Sequence, residues 1–242
     1  MSEDIRHPAD DADEAFQADR TRTSSDDAAL WRRFRGIAGE DAKVSTLQKL
    51  KLTGHGPDAF SLHLENLSPA DDRRGEALMR DIWRIGQQRI ALQPGQSPWA
   101  IEMPSRHFAD RVHRFGWAPD LMAQGEAGVA RAVALTDDWV AKFGKFHGFA
   151  WRLEPTASRC WNWLRCGPAL LEAGSEEVRA ARIDALARQL RYVQETVGAA
   201  HDPKSRWLGA VVLVANALCL RSGSGLNDAL ERLESETTAQ IL

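Results

Sequence analysis

The chain is poor in the features that would assign it quickly. It has one tyrosine and three cysteines in 242 residues. Cys160, Cys166 and Cys219 form no Cys-x-x-Cys pair, and no Cys/His cluster has zinc spacing, so a zinc ribbon, a thioredoxin-type redox pair and a disulfide scaffold are excluded. No metal and no cofactor are expected. A Gly-Lys-Ser/Thr phosphate loop, a Gly-x-Gly-x-x-Gly turn and a Gly-x-Ser-x-Gly elbow are all missing. The longest apolar run, Trp207 to Leu220, is shorter than the roughly 20 residues of a spanning helix. It reads as a buried core helix, and no membrane span is expected. The N-terminus lacks a basic start followed by an apolar stretch, so the expected location is cytoplasmic. Basic residues do not gather into a stripe with interleaved aromatics, which argues against nucleic acid as a partner.

What the chain does have is 43% hydrophobic and 27% charged residues, an ordinary globular balance, and nine tryptophans. Indoles serve both cores and sugar-stacking surfaces, so the excess does not choose between them. Charge is unevenly spread. Residues 1–29 hold nine acids against Arg6, Arg20 and Arg22, a net −6; with −3 overall, the rest of the chain carries +3. A mildly basic body suits a polyanionic ligand.

Three regions follow. Residues 1–29 are acidic and poor in large apolar groups, the composition of a disordered segment. Residues 30–70 are mixed, with a short helix at Leu30–Phe34 and a loop at Gly54–Pro57. Residues 71–242 are regular. Asp71 to Ile85 reads as a helix carrying Leu78, Ile82 and Ile85 on one face, and 87–92 as a short strand bounded by Gly86 and Pro94-Gly95. Helix starts are then expected near 105, 126, 155, 175, 203 and 225. The first is capped by Ser105, the third carries Pro155 in its first turn, the fourth opens on Ser175, and the fifth follows Asp202-Pro203. Pro119 must kink or restart the first of them. Buried stripes are expected at Val129, Val133 and Val140, at Ile183, Leu186, Leu190, Val193 and Val197, and at Leu226, Leu230 and Leu233. Alternate starts lie about 50 residues apart, which suggests an all-α fold of stacked antiparallel helical hairpins with one short β element. The end at Ala239-Gln240-Ile241-Leu242 has no glycine, proline or polar stop, so the fold is expected to continue beyond it.

Several segments together carry a family resemblance: Arg111–Leu121, Trp139–Lys142, Ala150–Arg159, Trp161–Leu164 and Ala187–Tyr192. In this order and spacing over about 140 residues, Trp99 to Leu242 resembles the N-terminal half of heparinase II/III-superfamily proteins. The resemblance implies a partial (α/α) toroid, completed in the family by a C-terminal β domain that would be an in-cis partner. It implies binding, or in complete members β-elimination, of an acidic uronic-acid polysaccharide. Lys204-Ser205-Arg206-Trp207 stands where active members tend to carry an Asn-His pair, and the catalytic segment is expected beyond Leu242. The chain alone would then be inactive, and no catalytic residue is assigned.

Candidate substrate-binding residues are His113, Arg114, Trp117, Trp151 and Arg159. Asp110, His113 and Trp117 fall on one helical stripe, where an indole can stack on a sugar face while His113 and Arg114 meet a carboxylate; an Asp-His pair with an anchoring Trp is the structural alternative. Trp151, Arg152, Arg159 and Trp163 form either a glycan platform or an internal cation–π brace. His107 and Arg111, one turn apart, either line a cleft or belong to an exposed polar face. Tyr192 lies opposite its helix's expected stripe and reads as a surface residue. A different class of function fits the same pattern: a non-catalytic helical-hairpin module that binds a protein partner.

Overall fold

The computed structural model describes residues 52, 64, 69–219 and 225–241. The expected disorder of 1–29, the helix at Leu30–Phe34 and the loop at Gly54–Pro57 lie outside the described residues.

The first helix, α1 (Asp72–Met79), starts where the Asp71 carboxylate accepts from the Arg74 backbone N–H at 3.0 Å. It ends sooner than the apolar spacing suggests. Asp81 takes a positive φ of 59°, and the chain turns into strand β1 (Ile82–Ile85), paired antiparallel with β2 (Gln88–Ala91). Ile82 and Ile85 therefore belong to a strand and not to the expected helix. Their spacing fits a helix, but the β-branched pair around Trp83 suits a pleated edge, and Gly86, at φ 60°, supplies the first position of a two-residue hairpin turn. The expected strand at 87–92 is present as β2.

The remaining elements are helical: α2 (Arg106–His113), α3 (Ala118–Met122), α4 (Gly125–Phe143), α5 (Leu153–Cys166), α6 (Pro168–Leu171), α7 (Glu176–Thr196), α8 (Pro203–Cys219) and α9 (Leu226–Ile241). The described chain is mostly helical with one two-stranded sheet, as the sequence led one to expect. Ser105 caps α2 by accepting from Phe108 N–H at 3.1 Å, and Asp202 caps α8 through Ser205 N–H at 2.9 Å. Pro119 lies in the first turn of α3, so the chain restarts there instead of bending through it.

Helix α5 is the hub of the packing, set against α2, α3, α7 and α8. Helix α8, apolar on most sides, is covered by α5, α7 and α9, although Trp207 and Leu218 stay partly exposed. The stripe expected on α7 is buried throughout. That expected on α4 is rotated: Ala132, Leu135, Trp139 and Phe143 face the core, and Val129, Val133 and Val140 form its flank. On α9 only Ala229 is buried, with Leu226, Leu230 and Leu233 nearer the surface. Trp99, Trp139, Trp151 and Trp163 have no exposed surface, which assigns most of the indole excess to the core rather than to sugar stacking. Cys160 and Cys219 are buried among the same apolar groups. Among the described residues no helix is long and apolar enough to cross a membrane.

Candidate functional site

The polar centre of the fold is built on the end of α2. His113, wholly buried, accepts at Nδ1 from the Trp139 indole N–H at 3.0 Å and sits edge-on to Phe143. Burial, and then the nearby cations of Arg159, His147 and Arg152, hold its pKa well below 6.5, so the ring is neutral at physiological pH. Beside it lies the Arg159 guanidinium, 4.2 Å from the centre of a Trp139 ring and equally buried. It donates to Gln189 Oε1 at 2.5 Å, to the carbonyls of His113 at 2.8 Å and Ala150 at 3.1 Å, and to Thr156 Oγ1 at 3.2 Å. Burial lowers its pKa to about 9, which still leaves it protonated at neutral pH. One side chain thus ties α2, the segment before α5, α5 itself and α7 together.

A second layer of charge surrounds Asp110. Arg114 donates to Asp110 at 2.7 Å and grips Glu154 with two nitrogens at 2.8 and 2.9 Å, while Arg152 closes on the other Asp110 oxygen. Burial opposes the charge on Arg114, but the two carboxylates outweigh it and hold the pKa above its ordinary value. Glu154 is held low in the same way: burial opposes ionisation and Arg114 more than compensates.

These positions correct the expected sugar subsite. His113, Trp151 and Arg159 have no exposed surface, and Trp117 is 5% exposed. Helix α2 stops at His113 and Phe115 adopts φ 59°, so the stripe expected to run on to Trp117 is broken and its members turn inward. The Trp151 N–H donates to the Phe143 carbonyl at 2.8 Å, and Trp151 is packed against Phe146 and Tyr192. Tyr192 is accordingly buried rather than superficial, and its hydroxyl pKa is pushed up to about 12, chiefly by that burial. The internal brace is the arrangement realised, with Trp139 in place of Trp151 or Trp163 as the partner of Arg159. Arg114 is committed to Asp110 and Glu154.

Arg114 and Trp117 do border an open groove of about 460 Å³ between α1, β1, α2 and the face of α5. Its floor includes Leu78, Trp83, Val112 and Trp117, and its rim is basic. His107 and Arg111, one turn apart on α2, both line it, together with Arg84 from β1 and Arg74 from α1. Arg74 is held by Asp120 and by the Gly116 carbonyl. Arg84 and Arg111 are exposed and form no ion pair among the described residues. His107 and Arg111 were visible as a helical pair in the sequence. Arg74, Arg84 and Trp83 were not, because only the hairpin after α1 folds them over α2. Among the described residues no group of three or more His, Cys, Asp or Glu is arranged to hold a metal.

Fold and groove define a helical protein with an open basic recess over a closed polar core. No family model matches the chain, and no solved structure matches it. It is 31% identical over 220 residues to FtsZ-localized protein C of Caulobacter vibrioides (strain NA1000 / CB15N), a match covering 88% of this chain and 38% of the relative. The chain therefore spans about two fifths of the length of the curated relative it matches. The likeness overturns the expectation of a domain that binds or cleaves acidic uronic-acid polysaccharide, since the relative is named for its localisation with FtsZ.

Proposed function

We propose that this chain is a non-catalytic helical interaction module that directs its protein to FtsZ by binding FtsZ itself as its protein partner. The supporting observation is 31% identity to FtsZ-localized protein C across 88% of the chain. The architecture agrees with such a role. The titratable groups of the core, His113 and Arg159 among them, are sealed from solvent, as in a scaffold, while the exposed cations line an open surface recess.

The test is localisation in cells. A fluorescent fusion of residues 1–242 is expected to follow labelled FtsZ and to become diffuse when FtsZ is depleted. A fusion that is diffuse in FtsZ-replete cells, or whose pattern ignores FtsZ depletion, contradicts the reading.

A further inference from the structure

The groove runs along a strand edge, and the register of the hairpin shows which backbone groups that edge presents. Gly86 and Gln87 form a two-residue turn, so Ile85 and Gln88 are the hydrogen-bonded pair that closes it. Bonded and non-bonded pairs alternate along an antiparallel ladder. Trp83 and Ile90 are therefore bonded, and one step further Leu92 N–H donates to the Asp81 carbonyl at 2.9 Å. The N–H and C=O of Arg84, and those of Ile82, point away from β2. No third strand pairs with β1 among the described residues. Unpaired strand edges are templates for an added strand.

Side chains at this edge give the template a preference. Successive residues of a strand face opposite sides. Arg84 is exposed on one face of β1, whereas Trp83 and Ile85 turn to the other, toward the groove's apolar floor. A strand laid beside β1 places alternate side chains next to Arg84 and the intervening ones next to Trp83 and Ile85. Arg111 and His107, on the facing helix, are further exposed donors along the same recess.

We infer that the groove is the docking site for an extended acidic segment of a protein partner, which adds to the edge of β1 that faces away from β2, with a carboxylate of the paired stretch against Arg84, the alternate apolar side chains beside Trp83 and Ile85, and a flanking carboxylate reaching Arg111 across the recess. The inference rests on the protein-interaction reading above and specifies its chemistry. The partner segment reads acidic–apolar–acidic over about five residues, the length a four-residue strand can template.

The probe is a fluorescein-labelled nine-residue peptide alternating glutamate with isoleucine and phenylalanine, titrated with the full chain by anisotropy. Saturable binding is expected. Replacing every glutamate by glutamine, or introducing Arg84→Glu together with Arg111→Glu, is expected to weaken it by about tenfold or more. Both arginines are exposed, and an unchanged urea midpoint shows that the doubly substituted chain is folded. Hydrogen exchange adds an independent readout: the Arg84 amide is expected to slow when the peptide binds. Equal affinity for the glutamine peptide, insensitivity to the double substitution, or an Arg84 amide unaffected by peptide each overturns the proposal. Binding seen only after deletion of residues 1–29 overturns it too, because the groove would then belong to the chain's own acidic segment. Failure of the broader reading looks different. If the chain ignores FtsZ in cells while the peptide behaves as described, the module reading falls and the groove assignment stands. If the chain follows FtsZ and the peptide does not bind, the reverse holds.

Discussion

The Arg159 guanidinium lies over Trp139 and donates to the backbone carbonyl of His113, the residue whose ring accepts from that same Trp139. Three residues from α2, α4 and α5 thereby close a buried triangle in which no carboxylate touches the cation. Removing Arg159 strands the acceptors of His113, Ala150 and Gln189 together. A buried acceptor left without a donor costs about 1–3 kcal/mol. Arg159→Met is expected to destabilise the fold by roughly 3 kcal/mol or more, read as a shift in urea midpoint, and Arg159→Lys to recover only part of it because an ammonium lacks the planar fork. A midpoint shift within about 0.5 kcal/mol, the range of an ordinary surface change, would contradict the hub.

Protonation of His113 penalises the fold on the acid side. Its folded pKa lies well below the ordinary 6.5, so below pH 6.5 the unfolded chain takes up a proton that the native chain refuses. Stability contributed by the neutral ring is complete above pH 6.5 and falls by about 1.4 kcal/mol per pH unit below it, until the folded pKa is reached. His113→Gln keeps an acceptor for Trp139 and does not titrate. Urea titrations between pH 7.5 and 5 are expected to show a steeper loss for the natural chain than for this variant, and parallel slopes would refute the assignment.

Gly75 sits where α1 meets α3. A Cβ there would stand 2.4 Å from the Asp120 backbone carbonyl. That contact cannot yield cheaply, because the Asp120 side chain also accepts from Asp71 N–H at 2.9 Å and pairs with Arg74. Gly75→Ala is expected to cost about 1–3 kcal/mol despite alanine's better helix propensity. A thermal midpoint at or above that of the natural chain would contradict the close approach.

Cys160 and Cys166 are expected to be chemically silent. Burial pushes the Cys160 and Cys166 thiols up to about 12 and raises that of Cys219 as well. At pH 8 almost no Cys160 or Cys166 thiolate is present, so a chromogenic disulfide reagent should label these two only as the chain unfolds. Prompt native labelling of Cys160 would show that the core is open.

Much of the helical framework can be read in the sequence, because its starts carry local chemistry. Ser105, Pro155, Ser175 and Asp202-Pro203 mark boundaries that fall within two residues of those observed. Spacing alone misled at Ile82 and Ile85, whose three-residue interval matches one helical face but places them on opposite faces of β1. It misled again on α4, where small residues such as Ala132 and Gly128 face the core and the valines flank it. Around the arginine hub the sequence offers a glycan platform and an internal brace side by side; the brace forms, and the sequence does not show that its indole is Trp139. The carbonyls that satisfy the buried Arg159 guanidinium come from His113 and Ala150, and such backbone partners leave no signature in side-chain spacing. The groove was half legible. His107 and Arg111 share a helix, but their neighbours Arg74 and Arg84 reach them only through the α1–β1 turn at Asp81.

Direct binding to FtsZ is the sharpest measure of the account. With FtsZ from the same organism immobilised on an interferometry tip, the full chain is expected to bind saturably, and Arg84→Glu with Arg111→Glu to weaken that binding by about tenfold or more. A natural chain that gives no binding to FtsZ would contradict the central claim.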